Sequence, residues 1–413
     1  MHQMKSTPSN KTQSAPLPTI ERQVVLNGRR NNQCWFSPSI AAIPTQAGMQ
    51  VVINAHQLTG NDCGPMHTIV SEDMGQSWSP PFESQAFHKI PMEDDVFETV
   101  HTIGLLHHRK SGRTFTFGGT HFIRDNTLNT RDPRFKNEWF LLDKDMESAN
   151  AVAFWDQRKR DYTPWRRLEV PQFRQAGQCP WFFGLNQCCE MADGSILMPL
   201  SAGRADKTAS VTTIKLQIDG DQVKVTQAGS QIGHKLYEPS IVEFEDRFHL
   251  TIRSEQRDGR MYHSTSTDGL TWSEPIAWQW DDGMPVETAN TQQHWMKLGG
   301  VLYLVYTRKS ELNNGVFRYR APLYMAQVRV TDRPRLVRES EQIVFPEKGA
   351  RMGNFSVCSI SEEESWIVTG EWLQQWIEGY RPDQFAWVDS GDDPHRYNRL
   401  IYRGDLLLAK VRA

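Results

Sequence analysis

No stretch of about 18 apolar residues occurs in this 413-residue chain, which excludes a helical membrane span. Neither charge is in excess. Lys and Arg number 46 against 49 Asp and Glu, a net of −3, so no whole-molecule attraction to nucleic acid is expected. Cysteine is sparse: Cys34, Cys63, Cys179, Cys188, Cys189 and Cys358, with no Cys-x-x-Cys and no zinc-like Cys/His spacing. Buried free thiols are therefore expected, a usage that suits a reducing compartment. A phosphate-binding loop, a Gly-x-Ser-x-Gly elbow and a His-Glu-x-x-His helix are all missing. No motif calls for a cofactor, and a metal ion is left open. Residues 1–19 are rich in Ser, Thr, Pro, Gln and Lys and lack the apolar core of a signal peptide. They read as a disordered tail, with 20–413 as one domain, and fit a cytoplasmic protein or a processed secreted one.

Amphipathic helices are missing as well, whereas short β-rich runs bounded by turn residues continue from start to finish. Grouped by fours they form six sets, beginning roughly 55 to 85 residues apart, as four-stranded propeller blades with variable loops would. The inner runs include Ser37–Ile40, Val100–Ile103, Gln187–Met191, Ser240–Val242, Gln293–Leu298 and Phe355–Val357. A polar insertion, Asp125 to Glu147, interrupts the second set. An early run, Gln23-Val24-Val25-Leu26, is placed to pair with the C-terminal strands and hide the open edge of the ring. Six blades is the expectation, with seven as the alternative if Tyr162–Val170 seeds another.

Two turns carry the clearest motif. Ser71-Glu72-Asp73-Met74-Gly75-Gln76-Ser77-Trp78 has a shorter relative in Ser266-Thr267-Asp268-Gly269-Leu270-Thr271-Trp272. In each, the Asp can accept from turn N–H groups, the Gly tolerates positive φ, and the Trp can plug a core. The pattern resembles the Asp box, or BNR repeat, of sialidases and related propeller enzymes. That resemblance implies an all-β, sialidase-like six-bladed β-propeller with its site at one mouth of the central channel.

Tyr237-Glu238-Pro239-Ser240, Arg253 a hairpin later, and Arg320 further on supply a carboxylate and two guanidinium forks. Such forks clamp carboxylates bidentately, so an acidic oligosaccharide or polysaccharide is the expected substrate. The run resembles the second half of a sialidase site, and Asp62, just before the first box, matches that family's acid/base. The chain departs from the pattern at two places. Its opening strand reads Trp35-Phe36-Ser37-Pro38-Ser39, without the first arginine, and no tyrosine stands near Arg351–Phe355, where the nucleophile belongs. Arg351, in a glycine-flanked loop, is placed to replace the missing guanidinium. His294 and Trp295, opening the fifth set, are candidate sugar contacts.

His101 and His121, a hairpin apart, with Tyr237 and Arg253 on a later hairpin, are similar in spacing to propeller polysaccharide lyases acting at rhamnose–uronate linkages of the ulvan type. Elimination needs a cation on the uronate carboxylate, a base for the α-proton and an acid for the leaving oxygen. Arg253 and Arg320 suit the first role, and Tyr237 with His101 or His121 the others. Three readings follow: a lyase at a uronate, which the missing tyrosine favours; an exo-α-sialidase-type hydrolase using Asp62 and Glu238; and a propeller that only binds glycan.

Overall fold

The computed structural model describes residues 16–58, 65–92, 96–124, 142–143, 146–147, 150–181, 185–203, 208–256, 258–313, 316–375, 399–400 and 403–413. These residues form an all-β propeller of antiparallel sheets whose first strands face one another around the axis. The first sheet runs Trp35–Thr45, Gly48–Gln57, Met66–Ser71 and Phe82–Glu83. The second is built on Val96–His108, Arg113–Arg124 and Asn150–Asp156, and the third on Ile196–Gly203, Ala209–Asp219 and Gln222–Ala228. In the fourth, Leu236–Phe244 is innermost, followed by Arg247–Ser254, Met261–Ser266 and Ile276–Ala277. His294–Leu298, Val301–Tyr306 and Leu323–Arg329 carry the fifth. The last sheet takes Phe355–Ser359, Glu364–Gly370 and Leu406–Arg412 from the chain's end and Thr19–Leu26 from its beginning.

Period-two alternation explains the cohesion, because successive side chains of a strand face opposite neighbours. Val51 and Ile53 pack toward the last sheet with Trp366 and Leu408, while Val52 between them packs toward the second sheet with Val100 and Ala153. Leu302 and Leu304 join Trp278 of the fourth sheet, whereas Tyr303 and Val305 join Phe355 and Ile367 of the last. Cys188 and Cys189 behave likewise: Cys188 packs between the second and third sheets, Cys189 between the third and fourth. Cys34, Cys188, Cys189 and Cys358 are all unbridged.

Three sequence expectations change. The tail ends earlier than expected: Thr19 already pairs with Arg412, and the Pro18 carbonyl accepts from Gln342. Residues 1–15 lie outside the described residues. Tyr162–Val170 seeds no separate sheet, since Asp161–Tyr162 and Arg166–Leu168 both pair with Asn150–Asp156. Gln187–Met191 shrinks to Cys189–Glu190, and Cys179–Trp181 joins it as a second short inner strand on Ile196–Gly203. The early strand does close the ring, in register from Thr19↔Arg412 to Val24↔Leu407.

The two serine–aspartate turns close alike. Asp73 accepts the backbone N–H groups of Gln76 and Ser77 and the Ser77 hydroxyl; Asp268 accepts those of Leu270 and Thr271 and the Thr271 hydroxyl. Both glycines have φ of 73°. Trp272 is buried and donates to Thr213 across the sheet boundary, at 3.0 Å. Trp78 is only half-buried, against the core shared by the first and last sheets.

Candidate functional site

At one end of the channel the head of each inner strand meets the tail of the second strand. The backbone bends sharply there. Ser37 (φ 48°), Glu238 (φ 46°), Asn290 (φ 22°) and Gly353 (φ 118°) all lie in the left-handed region, at or just before an inner strand. Bulges between Phe36 and Ser39 and between Tyr237 and Ser240 take Ser37 and Glu238 out of the ladder. Positive φ at non-glycine residues costs free energy and persists where surrounding structure imposes it, commonly at functional sites.

Arg253 stands at the centre. It bonds Glu238 and Glu255, each at 2.6 Å, and its Nε donates to Asn290 Oδ1. Tyr237, half-buried, is its register partner across the hairpin. Burial opposes the charge on Arg253, but the two carboxylates outweigh it and raise the pKa. Arg320 extends the arrangement. It donates to the Asn290 carbonyl at 3.2 Å and to Asn354 Oδ1 at 3.5 Å, and Asn354 Nδ2 donates to Ser37 Oγ at 3.1 Å. A belt of contacts, Glu238–Arg253–Asn290–Arg320–Asn354–Ser37, thus runs through the fourth, fifth, last and first sheets.

Arg318 and Arg351 complete a group of four half-buried guanidiniums. Burial lowers Arg318 to about 10, helped by repulsion from Arg253 and Arg351. Arg320 is pressed well below the guanidinium range by burial first, then by Arg318, Arg253 and Arg351. Glu238 offsets this only in part, and the two hydrogen-bond partners of Arg320 are neutral amides, so a bound anion would relieve what remains. Arg351 also lies over the Trp372 ring at 3.9 Å. Trp372 meets Phe36 edge-on, and Phe36 stacks on His101, giving the mouth an aromatic side next to its cationic one.

Arg253, Arg320, Arg351, Glu238 and Tyr237 are therefore brought to the mouth. His101 is buried, with its described ring contacts to His56 at 4.9 Å and Phe36 at 6.1 Å. His121 pairs with Thr99 through its backbone, and its side chain lies outside the described residues, as does Asp62. His294 and Trp295 sit elsewhere than expected. Trp295 is core between the fourth and fifth sheets, 5.8 Å from Trp278, with its indole N–H on the Ser240 carbonyl. His294 is buried between Ser240 and Gln292 and edge-on to Phe355, and burial lowers its pKa to about 3. Neither presents a surface to a sugar. Sequence reasoning missed Arg318, Glu255, Asn290 and Asn354. Among the described residues no cluster of His, Cys, Asp and Glu is placed to hold a metal ion, and no helix is long and apolar enough to cross a membrane.

Antiparallel sheets set around an axis define a β-propeller, the fold that solved sialidases share. The Hadza microbial sialidase Hz136 superposes with a TM-score of 0.59 at 12% identity, over 85% of this chain and 66% of that one. Trypanosoma rangeli sialidase gives 0.58 at 15% identity, over 95% of this chain and 59% of its own length. A protein of unknown function from Dyadobacter fermentans gives 0.59 at 11% identity and is matched over 99% of its length, against 95% of this chain. This chain thus spans about two thirds or less of the two sialidases. At these identities the likeness is one of fold. No family model and no curated protein matches the chain.

Proposed function

We propose that this chain is a carbohydrate-active enzyme that cleaves a linkage at a carboxylate-bearing sugar, bound at the mouth of a single-domain, six-bladed propeller whose two serine–aspartate turns are Asp boxes. The observation that carries the reading is the gathering of Arg253, Arg318, Arg320 and Arg351 around Glu238 and Glu255. A planar carboxylate is the natural partner for such forks, and the belt through Asn290 and Asn354 holds two of them ready before substrate arrives. Among the described residues, six of the seven hydrophobic clusters each lie between one successive pair of sheets, which supports the blade count.

β-Elimination at a uronate is the mode of cleavage we favour. Asn354, an amide held between Arg320 and Ser37, stands where the sialidase pattern puts its nucleophilic tyrosine, so a covalent glycosyl-enzyme has no obvious attacking group. Arg253 and Arg320 would neutralise the uronate carboxylate and make the α-proton acidic. Tyr237, the register partner of Arg253, would exchange protons with the substrate, with His101 or His121 as the second group. Sialidase-type hydrolysis through Asp62 and Glu238 is the second reading; the axial position of Glu238 and the fold of the two sialidases favour it.

One assay separates these. The full chain is incubated with uronate polysaccharides and with sialosides, following ultraviolet absorbance from an unsaturated uronate and release of free sialic acid. The first signal supports elimination and the second hydrolysis. Binding of an acidic glycan without either would reduce the protein to a lectin-like propeller, and binding unchanged by Arg253→Ala would remove the clamp.

A further inference from the structure

We propose that an outer cleft on the fifth sheet is a second saccharide subsite, specific for a neutral pyranose. The cleft, about 530 Å³, is lined by Arg308, Ser310, Leu312, Tyr324, Glu341 and Ile343 among others. Its polar wall is a fixed ion pair. Arg308 Nε and Nη2 bond the two oxygens of Glu341 at 2.7 and 2.5 Å, and the Tyr306 hydroxyl donates to the same carboxylate at 2.6 Å. The guanidinium carbon lies 4.8 Å from the Tyr324 ring centre and 5.6 Å from that of Trp280, which fixes its plane.

The chemistry of this wall differs from that of the mouth. Arg308 and Glu341 cancel each other's charge, and Glu311 on the same lining adds a further carboxylate, so the cleft offers no pull on an acid. The ion pair still holds side-by-side hydrogen-bonding capacity: a guanidinium has five N–H donors, three of which are used here, and a carboxylate has about four acceptor positions. Adjacent donors and acceptors in one plane match vicinal hydroxyls, each of which gives one bond and takes one. The Ser310 and Tyr324 hydroxyls, 2.9 Å apart, add a further donor–acceptor couple. Leu312, 61% exposed, and Ile343 supply apolar surface for the C–H face of a ring.

The connection between Val301–Tyr306 and Leu323–Arg329 carries both Arg308 and the mouth residues Arg318 and Arg320. Buried Asn313 ties its two ends together. It accepts from the Ser310 N–H at 2.9 Å and donates to the carbonyls of Arg308 and Tyr319, at 2.7 and 3.4 Å. If the acidic-sugar reading of the mouth holds, a glycan crossing this connection carries acidic and neutral units together. The neutral subsite itself does not depend on that reading.

The test uses the full chain in saturation-transfer NMR with L-rhamnose, D-xylose, D-galactose and D-glucuronate, each alone. At least one neutral sugar should receive saturation, and Arg308→Leu and Glu341→Gln should each weaken its binding about fivefold, the loss of roughly one net hydrogen bond. Arg320→Met should abolish glucuronate binding and leave the neutral sugar untouched. Should Arg308→Leu lower the melting temperature sharply, Ser310→Ala and the exposed Leu312→Asp, which spare the ion pair, replace it with the same expected direction. No transfer to any neutral sugar, or binding equal to wild type in folded cleft variants, would overturn the proposal. Neutral-sugar binding without cleavage of any acidic glycan would keep the subsite and sink the cleavage reading.

Discussion

Ser37 and Glu238 occupy the same place in their sheets. Each has a φ near 47°, each is followed by Pro-Ser-Ile, and each sits in a bulge at the head of an inner strand. One presents a hydroxyl to Asn354, the other a carboxylate to Arg253. The left-handed backbone, not the side chain, is what the two have in common. Ser37→Gly should therefore change stability by no more than about 1 kcal/mol, the strain relieved offsetting the lost hydrogen bond. Ser37→Val, β-branched at positive φ, should cost about 1–3 kcal/mol. Urea unfolding midpoints of the two variants check the contrast.

Gly353 makes room for Arg320. A Cβ there would come within 3.0 Å of Arg320 Cδ and 3.1 Å of its Cγ, and the φ of 118° disfavours any side chain. Gly353→Ala should displace the guanidinium, weakening an acidic ligand about tenfold or more while the ring stays folded. Calorimetric titration with a bound uronate or sialoside, beside a thermal melt, reads both quantities. Unchanged affinity would mean that Arg320 does not touch the ligand.

Arg253→Met should lower kcat/KM on the acidic substrate by a factor corresponding to about 2–4 kcal/mol, the loss of a preorganised charged contact. It also strands the buried Glu238 and, less severely, the more exposed Glu255, so stability should fall too. Glu238→Gln with Arg253→Met in one chain should recover most of that stability and none of the activity. Comparing single and double variants in melts and in steady-state kinetics checks this.

Two buried histidines set an acid limit. Burial lowers His263 to about 4, with His249 adding to it, and burial lowers His294 to about 3. The folded values lie below the unfolded one, so the unfolded chain binds more protons in acid. The stabilisation is full above about pH 6.5 and is lost as pH falls through that value toward the folded ones. Each histidine should contribute a slope of up to about 1.4 kcal/mol per pH unit between pH 6 and 4. His294→Gln should flatten the profile by one proton in urea titrations across that range. Below pH 4 a second loss follows, because Asp73 and Asp268 are held at about 2, Asp73 mainly by Ser77 and Asp268 by turn N–H groups that outweigh its burial. Asp268→Asn should reduce this second, lower limb alone.

Strands were legible because their alternation is local. Val51 to Ile53 and Leu302 to Val305 state in sequence which residues face which neighbour, and the structure keeps them so. Closure by Gln23–Leu26 was legible for a similar reason, since an apolar alternating run before the first sheet needs a partner. The mouth was legible only where a charge stood next to a turn signal, as at Glu238-Pro239. Asn290 and Asn354 went unseen because an amide in a loop carries no pattern; only the ring brings Asn354 near Ser37, 317 positions away. Trp295 and His294 were misplaced because strand alternation alone cannot say whether the head of an inner strand looks to the channel or to the next sheet. The repeat of Phe36-Ser37-Pro38-Ser39-Ile40 in Tyr237-Glu238-Pro239-Ser240-Ile241 was the signal that could have found Ser37.

The last sheet has a consequence for synthesis. Leu406–Arg412 is an interior strand, flanked by Glu364–Gly370 on one side and Thr19–Leu26 on the other. On a ribosome, the strand near the beginning emerges first and then waits for a partner translated hundreds of residues later. Until then two open strand edges, one on each flank, are available to any other nascent chain. Expression yield should thus depend on chaperone supply and on translation speed between Gly370 and Leu406 more than on the thermodynamic stability of the finished ring.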